Sequence, residues 1–205
     1  MQHNWIYDKN KTVCFSGHRP EKLPDRGSKS SMKIKGILSM LYFEIHESIR
    51  QGYNTFIVGG ARGIDLWAAE YIMQLKHQGN DINLVTALPY KNFGENYSGM
   101  DLFLRGNALG TSSDIITVSD SYSPGCFNKR NQFMVDHSSR LIAVVSDYKS
   151  GTGQTIRYAE KSGIETKIIN ALRFSNVVDE CLDSDVTIVE EKTEIQNLVK
   201  IYYST

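Results

Sequence analysis

Three absences narrow the field before any motif is read. The 205 residues include only three cysteines, Cys14, Cys126 and Cys181. An odd number at wide spacing is not a disulfide framework. Without a CxxC pair or a Cys/His cluster there is no zinc signature, and no metal is expected. Each thiol reads as a small buried hydrophobe. An excess of charge of one sign is also absent, since 23 Lys+Arg face 23 Asp+Glu. A binder of phosphate backbones carries a basic excess. Nucleic acid is therefore not the expected partner, although a local basic pocket for a small anion remains open. No apolar run approaches the roughly 20 residues of a membrane span. The segment Met1 to Lys11 is polar, without an apolar signal region. The expected location is a reducing cytoplasm, away from membranes.

What is present is alternation. Short apolar runs read as strands: Thr12 to Ser16, Thr55 to Val58, Ile82 to Leu88, Asp114 to Ser119, Leu141 to Ser146 and Thr166 to Asn170. Between them lie helical patterns. Ile34, Ile37, Leu38, Leu41, Ile45 and Ile49 draw one stripe within Lys29 to Gln51. Further helices are expected over Ile64 to His77, Met100 to Leu109, Phe127 to Ser139 and Thr155 to Lys161. Strands that are apolar on both faces and alternate with helices imply right-handed βαβ units and a buried parallel sheet. The expected fold class is α/β: a Rossmann-like, doubly wound, mainly parallel sheet in three α/β/α layers, with strand order near 3-2-1-4-5-6. One domain over 1–205 is expected, its core at about 12–170. In the extension 171–205 the pattern fades, leaving a strand at Val186 to Val189 and a helix at Thr193 to Tyr203.

In open α/β sheets, ligands sit beyond the carboxyl ends of the strands. Four segments at those ends suit an anion. Gly59-Gly60-Ala61-Arg62-Gly63-Ile64-Asp65 follows a strand and opens a helix, so bare backbone and the positive helix end can approach a phosphate. It is neither a P-loop nor GxGxxG. In Ser16-Gly17-His18-Arg19-Pro20, His18 and Arg19 can donate hydrogen bonds to phosphate. Ser150-Gly151-Thr152-Gly153-Gln154-Thr155 offers hydroxyls and an amide nest. Lys129-Arg130-Asn131 adds a guanidinium fork near the start of the fourth helix. Each segment alone is also an ordinary turn, cap or surface charge; their shared edge is the argument. Asp65 has the alternative role of a first-turn partner of the helix dipole.

Cys14-Phe15-Ser16-Gly17-His18-Arg19-Pro20-Glu21-Lys22-Leu23, the Gly59 to Glu70 segment, Arg130 to Asp136 and Gly151-Thr152 through Tyr158-Ala159 together resemble the YpsA/YoqJ-like branch of the SLOG superfamily. That branch comprises uncharacterised bacterial and phage proteins. The resemblance spans roughly residues 12 to 170. It implies a Rossmann-like fold and a nucleotide or ADP-ribose-type ligand, with no further cofactor required. The superfamily's lonely-guy phosphoribohydrolases are similar at Arg130 and Thr155. Where they carry two carboxylates, however, this chain has Arg157 and Tyr158, and a cation cannot stabilise an oxocarbenium-like centre. The leading expectation is therefore a sensor or sequestering protein for a nucleotide-derived small molecule. A nucleotide N-glycosidic hydrolase comes second and a single-stranded DNA accessory protein third. Apolar helix faces such as Ile34 to Ile49, together with the resemblance, point to a homo-oligomer.

Overall fold

Alternate side chains of a strand point to opposite faces of the sheet, and here both sets are apolar. Six strands form one parallel sheet: β1 (Thr12–Gly17), β2 (Thr55–Val58), β3 (Asn83–Leu88), β4 (Asp114–Thr117), β5 (Arg140–Val145) and β6 (Glu165–Asn170). The computed structural model describes residues 5–183 and 191–204. On one face Val13, Phe15, Phe56, Val58, Leu84, Ile142 and Val144 pack under α1 (Met32–Arg50), α2 (Ile64–His77) and α3 (Gly99–Thr111). On the other, Cys14, Ile57, Val85, Ala87, Leu141, Ala143 and Val145 pack under α4 (Cys126–Asp136) and α5 (Gly151–Lys161). The result is the three-layer α/β/α class. Among the described residues no helix is long and apolar enough to cross a membrane, and no group of three or more His, Cys, Asp or Glu could hold a metal ion.

The strand order is β4-β3-β2-β1-β5-β6, which corrects the expected 3-2-1-4-5-6. β4 lies at the outer edge beside β3, and β5 takes the place next to β1. Burial explains the exchange. All six residues of β5 are buried, whereas β4 buries only Ile116 and leaves Ile115 43% exposed. A strand apolar on both faces belongs in the sheet interior, and a half-exposed one can stand at its edge.

Two helices follow β6: α6 (Ala171–Asp183) and α7 (Glu191–Ser204). The first lies where the sequence pattern was expected to fade. Both pack on α1, with Phe174, Val178, Leu198 and Tyr202 joining the same cluster as the α1 stripe. The helix expected at Thr193 to Tyr203 falls within α7, and the strand expected at Val186 to Val189 lies outside the described residues. The fifth helix starts at Gly151, earlier than the expected Thr155, with Ser150 as its N-cap.

Candidate functional site

Because all strands run parallel, their carboxyl ends share one edge. Chain order reverses between β1, which continues through α1 to β2, and β5, which continues through α5 to β6 on the other side. At such a point the loops splay apart and leave a crevice. Here it is a cavity of about 270 Å³. Its wall includes Gly17, His18 and Arg19 after β1, Asp65 of α2, Arg130 and Asn131 of α4, and Ser150, Gly151 and Thr152 at the start of α5.

Arg130 organises the interior. It is 5% exposed, not the surface charge that its neighbour Lys129 suggests. One terminal nitrogen (Nη1) donates to the Gly59 carbonyl and, at 3.4 Å, to that of Ala87. The same nitrogen lies 3.8 Å from the Asp65 carboxylate, and Nε donates to Asn131 Oδ1 at 2.8 Å. Among the described residues nothing accepts from the remaining nitrogen, Nη2. Asp65 in turn accepts from the amides of Gly59 (3.1 Å) and Ala61 (3.4 Å). Its role is thus inward, holding the β2 loop and the buried cation. Burial pushes the Asp65 carboxyl above the usual carboxylate range, opposed by Arg130 and the two amides. It likewise pushes Arg130 below its ordinary value, opposed by Asp65. From Arg130 a chain of bonds runs on: Asn131 Nδ2 donates to Thr155 Oγ1 (2.8 Å), which donates to the Gly151 carbonyl (3.0 Å).

The glycines let these loops touch. A Cβ on Gly59 would collide with Arg130 and Asp65. Gly63 has φ +82°, and its Cβ would stand 2.5 Å from the His18 carbonyl, which accepts from the Ile64 amide. Gly60 also sits at positive φ and packs on Leu88, Gly17 abuts Ile64, and Gly153 lies against the Tyr148 carbonyl. These glycines except Gly17 shape the crevice from behind its wall. At α5, Ser150 Oγ accepts from Gly153 N at 3.2 Å. The first-turn amides of Gly151 and Thr152 have no acceptor within the helix, and both residues line the cavity.

Two expected phosphate donors behave differently. The buried His18 Nε2 accepts from the Asp147 amide at 3.2 Å, so this nitrogen does not donate. Arg62 lines a neighbouring chamber, where its Nε donates to Asp101 at 2.6 Å and Glu21 lies 3.9 Å away. Thr155 lines a small polar pocket on the far side of Asn131. By contrast, Arg19 is exposed and lines both the crevice and the neighbouring chamber, and its guanidinium has no hydrogen-bond or ion-pair partner among the described residues.

Burial, reinforced by Lys22 and opposed by Asp147, holds the His18 imidazole below its ordinary value. The unfolded chain therefore takes up a proton first as the pH drops through about 6.5. Stability is full above that value and is lost as the pH falls through the folded-state value. His18→Gln keeps an acceptor for the Asp147 amide and is expected to flatten this slope in melting temperature against pH. Equal slopes in both proteins would refute the assignment.

Phe127, Tyr90, Phe93 and Tyr97 were not singled out in the sequence. They form an aromatic wall that continues from the crevice into the second chamber. Ring density in the Tyr90 to Gly99 loop was the signal for Tyr90, Phe93 and Tyr97, and Phe127 in α4 had none.

The family model for YpsA, described as the YspA SLOG family, matches residues 13–174. The chain belongs to this family. Among its relatives, the SPbeta prophage-derived protein YoqJ of Bacillus subtilis is 31% identical over 119 residues, covering 52% of this chain and 70% of YoqJ. A UPF0398 protein of Enterococcus faecalis is 25% identical over 153 residues, covering 73% of this chain and 84% of its own length. Two solved structures share the fold. DNA processing protein A from Helicobacter pylori, described for its single-stranded DNA binding mode, has TM-score 0.52 and 20% identity over 93% of this chain and 81% of its own. The protein of the same name from Streptococcus pneumoniae has TM-score 0.52 and 15% identity, over 94% of this chain and 56% of its own.

Proposed function

We propose that this SLOG protein binds a phosphate-bearing, nucleotide-derived small molecule in the β1–β5 crevice, as a sensor or sequestering protein. One observation carries the reading: Arg130 is buried and held on three sides, yet its Nη2 is left for a ligand on the wall where Arg19 and the α5 amides also stand. A charged donor fixed before the ligand arrives needs little ordering on binding.

Turnover by the glycosidic route needs a carboxylate facing the sugar. Asp65 is engaged with Arg130 and two amides. At the positions where the lonely-guy enzymes carry carboxylates, Arg157 donates to the Tyr148 carbonyl and Tyr158 donates to Asp136. The other acid on the wall, Glu21, is exposed and lies beside Arg62. These engagements favour binding over hydrolysis. A second reading, single-stranded DNA in the same crevice, draws support from the DNA processing protein A neighbours.

The test is a thermal-shift and calorimetric screen with ADP-ribose, cyclic ADP-ribose, NAD and nucleoside phosphates, followed by chromatography for products. A ligand of the folded state raises the melting temperature by mass action. Arg19→Ala is expected to weaken the best ligand at least about tenfold, the scale of one charged hydrogen bond, while the ligand-free melting temperature holds. An undiminished shift in that variant would refute the crevice. Free base or ribose phosphate among the products would turn the reading to hydrolysis. Salt-sensitive binding of an oligonucleotide alone would turn it to DNA.

A further inference from the structure

We infer that the chamber beside the crevice receives the base and ribose of a nucleoside, so that the ligand is a ribonucleoside diphosphate or a derivative of one. This rests on the crevice being the phosphate site. The chamber has a volume of about 380 Å³, and its walls include Tyr90, Phe93, Tyr97, Phe127, Arg62 and Asp101. Arg19 and Phe127 line both spaces, so a single molecule can reach from one into the other.

Charge sets the direction. The crevice is lined by Arg19, Lys22 and Arg130 together with the start of α5. In the chamber the one further cation, Arg62, is matched by Asp101 at 2.6 Å and Glu21 at 3.9 Å. The two acids of the crevice are engaged, Asp65 with Arg130 and Glu21 beside Arg62, so Arg19 and Lys22 are left for an anion there, whereas in the second space the further cation is already paired. The second space therefore suits a flat, uncharged group. Its rings are locked edge-on: Tyr90 to Phe93 at 5.5 Å, Tyr90 to Phe127 at 6.2 Å, Phe93 to Phe127 at 5.6 Å. The loop that carries Tyr90 and Phe93 is pinned to α3, because Arg105 Nε donates to the Phe93 carbonyl at 2.9 Å and Arg105 packs on Gly94, a glycine at φ +80°. Rigid aromatic surface of this kind stacks on bases of any sequence. Asn96, Ser98 and Asp101 line the same chamber and offer polar atoms to ribose hydroxyls.

The experiment compares inorganic pyrophosphate with ADP, GDP, CDP and UDP by calorimetry on the wild-type protein and on Tyr90→Leu. At least one nucleoside diphosphate is expected to bind about tenfold or more tightly than pyrophosphate. In Tyr90→Leu that advantage should vanish while pyrophosphate binding is kept. Should Tyr90→Leu fail to fold, Asn96→Ala, an exposed position on the same wall, serves in its place with a partial loss expected. Nucleoside diphosphates no tighter than pyrophosphate would overturn the chamber and leave the crevice standing, as would an advantage that survives the substitution. If neither pyrophosphate nor any nucleoside diphosphate binds, both readings fall.

Discussion

Asp65→Ala is expected to lower stability by about 3–5 kcal/mol, the range for removing one partner of a buried ion pair. The size follows from what is left behind. Asp65 is 5% exposed and accepts from the Gly59 and Ala61 amides. The cation beside it, Arg130, is also 5% exposed, and burial already works against its charge. Without the carboxylate, a guanidinium would stay buried without its counter-charge and two amides without their acceptor. Denaturant unfolding at constant slope measures the loss. Adding Arg130→Met to Asp65→Ala should recover part of it, because the uncompensated charge is then gone as well. A loss below about 1 kcal/mol would mean that water reaches the pair and that the interior is not dry.

Phe174→Ala should cost about 3–5 kcal/mol, as expected for a fully buried phenylalanine whose site cannot collapse. The Phe174 side chain is 0% exposed, and its ring lies so close on α1 that a Cβ on Gly36 would collide with it. Tyr202 of α7 meets the same ring edge-on at 5.9 Å. One side chain therefore holds α1, α6 and α7 together. Limited proteolysis offers a second measurement, since the variant should be cut within α6 or α7 under conditions where these helices of the wild type resist. Unchanged denaturation and cleavage would show that α6 and α7 add little to the core.

Both sites show what a sequence can and cannot convey. The apolar runs at Thr55 to Val58 and Leu141 to Val145 announce buried strands because composition and period are local properties. Which strand neighbours which is not local. β4 was expected beside β1, although its mixed polarity, Asp114-Ile115-Ile116-Thr117 against the unbroken Leu141-Ile142-Ala143-Val144-Val145, already held the contrary hint. Helix α6 went unread because it follows β6 without a glycine or proline between them; Asn170 closes the strand and accepts from the Arg173 amide at 2.9 Å. Its face of Ala171, Phe174, Val178 and Cys181 is visible once the boundary is known. At the site, the glycine turns at Gly17, Gly60 and Gly151 were legible from turn chemistry. The burial of Arg130 was not, because its acceptors Gly59 and Ala87 lie 71 and 43 residues away. Nor was the aromatic wall, whose rings come from the Tyr90 loop and from Phe127 in α4.

Arg130 has a double attachment. One nitrogen of its guanidinium ties down the carbonyl of Gly59, just after β2, and that of Ala87, near the end of β3, while the side chain also lines the cavity. An arriving anion pulls on a group already fastened to the sheet, so the force of capture passes into the backbone of β2 and β3 and not into a loose side chain. Occupancy and rigidity of that rim are thereby a single mechanical variable. A bound molecule should be felt as slower amide exchange at Gly59 to Ala61, well before any helix shifts.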